Sequence, residues 1–195
     1  MSFESLNADN IVEFIADIFS RRGGDSYLGE DVTMSEHMLQ SARLAEKAKA
    51  PDTLVAAALL HDIGHYTSEF PEESLEQGQD NYHETSGARV LQDFFPESVI
   101  QPIELHVAAK RYLCATSDDY FSRLSPASVN SLNVQGGPMS REEVEEFEKN
   151  TYYKDALRLR VWDDEGKDAN METPPFSHYM PLLKGLVQEH AGKKA

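Results

Sequence analysis

Cysteine occurs once in the 195 residues, at Cys114, so no internal disulfide can form and an apolar core must hold the fold. Cys114 has no paired cysteine or base beside it and reads as a small packing residue. Basic residues are scarce: 18 Lys and Arg stand against 34 Asp and Glu, a formal charge of −16 at pH 7. That balance excludes the basic surface that phosphate backbones require, so no nucleic-acid partner is expected. An anionic small molecule would need a local basic spot, whereas a cationic one suits the overall charge. Long apolar runs are missing too. The longest, Leu54 to Leu60, is far short of a membrane span. The opening MSFESLNADN lacks the basic start and apolar stretch of a signal peptide, so cytoplasmic residence is the expectation. No stretch alternates as a half-buried strand does, and neither a repeat nor a low-complexity block interrupts the chain.

Helical periodicity is what remains. Ile11, Phe14, Ile15, Ile18 and Phe19 share one helical face, and Gly23-Gly24 ends the pattern. After a polar loop, Thr33 and Glu36 form a capping-box pattern that opens a helix to about Lys49. Pro51-Asp52 starts a third, TLVAAALLHDIGH, apolar almost all round and therefore central. An acidic loop is expected over 69–80, then helices over 82–95 and 97–110, parted by Pro96. A less regular region follows, with a turn at Gly136-Gly137-Pro138. Ser140 and Glu143 cap another helix, and the last two are expected over 151–161 and 179–190, leaving Lys193-Lys194 as a dispensable tail. These elements predict an all-α helical bundle, a single domain spanning 1–195.

Five of the seven histidines fall in or at the ends of these helices: His37, His61, His65, His83 and His106. From 37 to 61, 61 to 83 and 83 to 106, each gap is about one helix plus a turn. A bundle can therefore bring one histidine from each helix to a common point, as bundle-core metal sites do. Imidazole suits iron and zinc, and the adjacent Asp62 offers a hard oxygen able to bridge two metals. A lone histidine is more often a hydrogen-bonded core residue. Four at comparable spacing do not fit that description, and a charged Asp62 in an apolar helix needs a metal or hydrogen bonds to offset its burial. Lys110 shares a helix face with His106, one turn on, and either holds an anionic group or is a solvated helix-end lysine.

The pattern His37, His61-Asp62 and a distal aspartate resembles the HD-domain superfamily, most of whose members are metal-dependent phosphohydrolases. YLGE at 27–30, HDIGHY at 61–66, HVAAKRYL at 106–113, LSPAS at 124–128, QGGPM at 135–139 and Trp162-Asp163 narrow the likeness. Together they resemble its mixed-valent diiron oxygenase branch, which includes myo-inositol oxygenase, and within it the small enzymes that cleave the carbon–phosphorus bond of 1-hydroxy-2-aminoethylphosphonates. HDIGH is specific only to the superfamily; the combination of YLGE, HVAAKRYL and QGGPM is far more specific.

The resemblance implies His37, His61, Asp62, His83, His106 and Asp163 as ligands of two iron ions, Fe(II) and Fe(III), with Asp62 bridging and O2 as co-substrate. Spacing alone would not choose Asp163, because DDEGKD reads first as a solvated acidic segment. Tyr27 resembles a tyrosine that occupies an iron at rest and withdraws when substrate arrives. Glu30 would help close its loop and face the substrate's cationic end, while His65, Lys110 and Ser128 would hold the phosphonate. Without the resemblance, Tyr27 and Glu30 read as an ordinary surface loop.

Two hydroxyphosphonate substrates compete. One carries a trimethylammonium group and would give glycine betaine; the other carries a primary amine and would give glycine. A quaternary cation favours aromatic faces and diffuse negative charge, and a primary ammonium favours acceptors. Likeness to the trimethylated-substrate enzymes favours the first. The alternative enzyme is an HD-type phosphohydrolase using metal-bound water, and the non-enzymatic one a metal- or ligand-sensing module. The sequence is compatible with a homo-oligomer and does not specify one.

Overall fold

The structure is a computed structural model that describes residues 5–67 and 80–194. Among the described residues it is helical: α1 Ile11–Arg22, α2 Met34–Lys47, α3 Asp52–Leu60, α4 Gly64–Thr67, α5 His83–Leu91, α6 Glu97–Thr116, α7 Pro126–Val134, α8 Arg141–Phe147, α9 Tyr153–Glu165 and α10 Phe176–Lys194. A 3-10 turn, Phe121–Arg123, precedes α7, and a β-bridge pairs Ser26 with Thr33. The all-α expectation holds. The acidic loop expected over 69–80 lies, except for Asp80, outside the described residues.

α3 is the axis of the bundle. Every side chain from Leu54 to Leu60 is buried, each leucine contributing about 1.5–3 kcal/mol. α2 and α6 flank it, and α9 and α10 also touch it. α9 lies across both α6 and α2, which carries its residues to the same end of α3 where His61 and Asp62 emerge. Both capping boxes form: Glu36 N–H donates to Thr33 Oγ1 at 3.3 Å and Thr33 N–H to Glu36 Oε2 at 2.7 Å, with the same exchange between Ser140 and Glu143.

Several boundaries differ from expectation. α3 stops at Leu60, a tight turn carries His61 and Asp62, and the short α4 follows. Tyr82 cannot belong to α5 because its φ is +47°, so that helix starts at His83 rather than 82, and it ends at Leu91, short of 95. α6 runs on to Thr116. The region read as less regular contains α7, opened by Ser125 as cap and Pro126 in its first turn. α10 begins three residues earlier than 179 and takes in Lys193 and Lys194, and Lys194 Nζ donates to the Asp93 carbonyl at 3.2 Å.

α4 and α5 meet at two glycines. A Cβ on Gly64 would lie 1.7 Å from the His83 carbonyl oxygen and 2.8 Å from the Gly87 nitrogen. Only glycine permits this approach, and it sets His83 beside Asp62.

Candidate metal centre and adjoining pocket

Five elements deliver the histidines and aspartates to one buried place. α2 brings His37, the turn after α3 brings His61 and Asp62, the first residue of α5 is His83, α6 brings His106, and α9 brings Asp163. All six are at most 5% exposed. Each imidazole is fixed from behind. His37 Nδ1 donates to the Gly166 carbonyl at 2.9 Å, His61 Nδ1 to Ala58 O at 2.9 Å, His106 Nδ1 to Ile103 O at 2.7 Å and His83 Nδ1 to Asn81 Oδ1 at 3.0 Å. With the proton held on Nδ1, the Nε2 lone pairs all turn inward.

Inward, they form two pairs. His37 and His61 meet Nε2 to Nε2 at 3.1 Å, and His83 and His106 at 3.0 Å. Asp62 lies between. Its Oδ2 is 3.4 Å from His37 Nε2 and 3.5 Å from His61 Nε2, while its Oδ1 is 3.4 Å from His83 Nε2 and 3.6 Å from His106 Nε2. Asp163 Oδ1 adds to the first pair, 3.4 Å from His37 Nε2. Asp62 Oδ2 and Asp163 Oδ1 are both buried with no hydrogen-bond partner.

Two lone pairs 3 Å apart repel unless a cation sits between them, and two orphaned carboxylate oxygens demand the same thing. The donor set therefore fits two cations: one among His37, His61 and Asp62, the other among Asp62, His83 and His106, with Asp163 Oδ1 near enough to join the first. Neutral imidazole with carboxylate suits divalent or trivalent iron, as well as zinc and manganese. Burial disfavours a charged His37, yet the adjacent Asp163 and Asp62 carboxylates override it and raise the imidazole to about 9. Asp62 is held well below the usual carboxylate range: its burial is outweighed by the neighbouring His61, His37 and His83.

Beside this centre is a pocket bounded by Tyr27, Glu30, His65, Lys110, Ser128 and Lys167. Every residue expected at the substrate is here. Tyr27 stacks on His37, ring centroids 3.9 Å apart and 13° from parallel. Burial, then Asp62 and Asp163, push its hydroxyl well above the ordinary phenol range. The positive φ of Leu28 (+46°) and Gly29 (+80°) folds the 26–33 loop inward and makes this stacking possible. Lys110 is buried and donates to Ser131 Oγ at 2.7 Å; burial, then Arg160, lower it to about 7 against the pull of Asp163. Burial, then His83, drive His65 down to about 3, so it is a neutral donor or acceptor. A cavity of about 30 Å³ remains, room for about one water.

Four further residues take part in this arrangement without an expected role there. Arg160 donates to Asp163 Oδ2 at 2.7 Å and also binds Asp164 and Tyr120. Lys167 Nζ lies 2.9 Å from Ser128 Oγ, 3.3 Å from Glu30 Oε1 and 5.7 Å above the Tyr27 ring. Gln135 and Asn81 are the others. Arg160 was discoverable: Ala156, Leu159, Arg160 and Asp163 occupy one helical face and are all buried, so two charges sit on an apolar stripe. Lys167, within DDEGKD, has no such signal.

Helical architecture and a histidine–aspartate pair centre define a metal-binding protein of the HD type. Residues 34–133 match the HD domain family, and the chain belongs to that family. Within it, the chain is 54% identical over 187 residues to the [1-hydroxy-2-(trimethylamino)ethyl]phosphonate dioxygenase (glycine-betaine-forming) of Leisingera caerulea, covering 96% of this chain and 95% of that protein. It is 45% identical over 166 residues to the hydroxymethylphosphonate dioxygenase of Gimesia maris, covering 85% and 83%. An uncharacterized protein of Acanthamoeba polyphaga mimivirus is 33% identical over 181 residues, covering 91% and 82%. The HD match stops at 133, so Arg160, Asp163 and Lys167 come from beyond it. No helix among the described residues is long and apolar enough to cross a membrane.

Proposed function

We propose that this protein is an O2-dependent dioxygenase that cleaves the carbon–phosphorus bond of (R)-1-hydroxy-2-(trimethylammonio)ethylphosphonate, giving glycine betaine and phosphate. The observation that carries the reading is a shared carboxylate, Asp62, between two histidine pairs, next to a pocket with cations on one wall and a cation-accepting face on another. The likeness to the Leisingera enzyme over nearly the whole chain supports it.

His37, His61, Asp62, His83, His106 and Asp163 would hold two iron ions, Fe(II) and Fe(III), which would supply the redox chemistry with O2. The carbon bearing the hydroxyl loses its hydrogen and its bond to phosphorus. One oxygen atom of O2 completes the carboxylate and the other the phosphate, so substrate and O2 balance without a further reductant. The protein's own part is to bind and orient. Lys110, Ser128 and His65 take the phosphonate oxygens, with Lys167 adding charge to that wall. Tyr27 and Glu30 take the trimethylammonium. Lys167 already sets an ammonium over the Tyr27 ring and against Glu30, which supports a cation site there. With room for about one water, the pocket would admit substrate when the 26–33 loop, which carries Tyr27, moves outward.

The test is oxygen uptake and phosphate release by iron-loaded protein on three substrates: the trimethylated hydroxyphosphonate, its primary-amine analogue and hydroxymethylphosphonate. The first is expected to give the highest kcat/KM. Preference for the amine would reassign the product to glycine, and preference for hydroxymethylphosphonate would remove the cation site. Phosphate-ester hydrolysis with zinc or manganese and no oxygen uptake would replace the oxygenase with a phosphohydrolase.

A further inference from the structure

Asn81 is buried, 1% exposed, and stands two residues before His83. Its Oδ1 is 3.0 Å from His83 Nδ1 and its Nδ2 is 3.2 Å from His65 Nδ1. The two imidazoles are stacked, centroids 4.2 Å apart and 18° from parallel. One carboxamide therefore touches the outer nitrogen of a metal-facing histidine and the outer nitrogen of the pocket histidine.

The direction of these hydrogen bonds is forced. His83 turns Nε2 toward His106 and Asp62, so a neutral ring offering a lone pair there must carry its proton on Nδ1. Of the two acceptors near that proton, Asn81 Oδ1 at 3.0 Å is within hydrogen-bond range and Glu84 Oε2 stands off at 3.5 Å, which assigns Oδ1 of Asn81 to His83 and leaves the Nδ2 hydrogens facing His65. A donor at that point can be met only by a lone pair on His65 Nδ1. The single proton of neutral His65 is thereby confined to Nε2, the nitrogen 4.0 Å from Asp62 Oδ1.

We propose that Asn81 is a positioning residue that ties the tautomer of His65 to the ligand state of His83, so that a cation on His83 makes His65 a hydrogen-bond donor on its Nε2 side. The use of that donor, to hold a phosphonate oxygen, rests on the function proposed above; the tautomer does not. Hydroxyl or apolar residues at 81 would satisfy one ring or neither, whereas a carboxamide presents an acceptor at one end and donors at the other.

Long-range 1H–15N spectra of full-length, [15N]histidine-labelled protein loaded with zinc, which is diamagnetic, report which nitrogen of His65 is protonated. The wild type should show a bare Nδ1 and a protonated Nε2. Asn81→Asp keeps an acceptor for His83 but removes the donor to His65, so it should retain its zinc stoichiometry while a proton appears on His65 Nδ1. Asn81→Leu, which serves neither ring, should weaken zinc binding 10–100-fold. A wild-type His65 with Nδ1 protonated overturns the proposal even if neither variant folds. So does a bare Nδ1 in zinc-loaded Asn81→Asp, or unchanged zinc affinity in Asn81→Leu. A protein that passes these tests yet consumes no oxygen with hydroxyphosphonates keeps the relay and loses the reaction; one that turns over normally with the wrong tautomer loses only the relay.

Discussion

Arg160 donates from Nη1 to Oδ2 of Asp163 at 2.7 Å, which leaves Oδ1 of that carboxylate turned to His37 and His61. The guanidinium is buried and also holds Asp164 and the Tyr120 hydroxyl, so three groups depend on it. Arg160→Met removes the charge while filling most of the volume. It should destabilise the fold by about 3–5 kcal/mol, because the carboxylates are left buried without their partner. Denaturant unfolding measures the loss, and elemental analysis should show fewer than two metals per chain, as expected if the His37–His61 half weakens.

Lys110 gives a prediction of opposite sign. Its ammonium is held at about 7 in the folded protein, against about 10.4 in an unfolded chain. Between those values the unfolded state binds the extra proton, so the burial penalty is full below about pH 7 and fades as pH rises toward about 10. Lys110→Met should therefore raise the melting temperature near neutral pH, by about 1–4 kcal/mol in stability, and change it little near pH 10. The same variant should bind hydroxyphosphonate at least about tenfold more weakly. Equal stabilisation at both pH values would contradict the assignment.

Tyr27→Phe separates ring from hydroxyl. Phenylalanine preserves the stacking on His37, so stability should change by no more than about 1.5 kcal/mol. The hydroxyl beside the centre is gone, and the resting electronic and electron-paramagnetic spectra of the iron-loaded protein should shift. Identical spectra would take Tyr27 away from the centre.

Gly64→Ala tests the contact between α4 and α5. A Cβ 1.7 Å from the His83 carbonyl forces the two helices apart. The expected cost is about 1–3 kcal/mol or more. Metal content should fall in the His83–His106 half, and retention of two metals per chain at wild-type stability would refute the close approach.

The histidines were legible because helix spacing constrains where they meet, and the capping boxes at Thr33 and Ser140 because caps are local chemistry. α7 was not. It buries only Ser128 and Leu132, too few positions for an apolar stripe, although Ser125-Pro126 carries a helix-start signal. Asp163 needed the family likeness, since its neighbours Asp164 and Glu165 are polar and more exposed; the stripe through Ala156, Leu159 and Arg160 shows that helical phase carried part of the answer. Asn81 and Lys167 had no local signature. Their roles arise only when segments far apart in the chain close on one another, which no window of sequence contains.

The hydrogen bond from His37 to the Gly166 carbonyl spans 129 residues of chain. With Asp163 beside it, a filled centre becomes a reversible crosslink between the early and late parts of the polypeptide. Like any crosslink, it withholds loop entropy from every partly opened state, and the long loop it closes makes that effect large. Peeling α9 away would remove Asp163 from the centre, so opening of the chain and loss of an ion held there would be coupled.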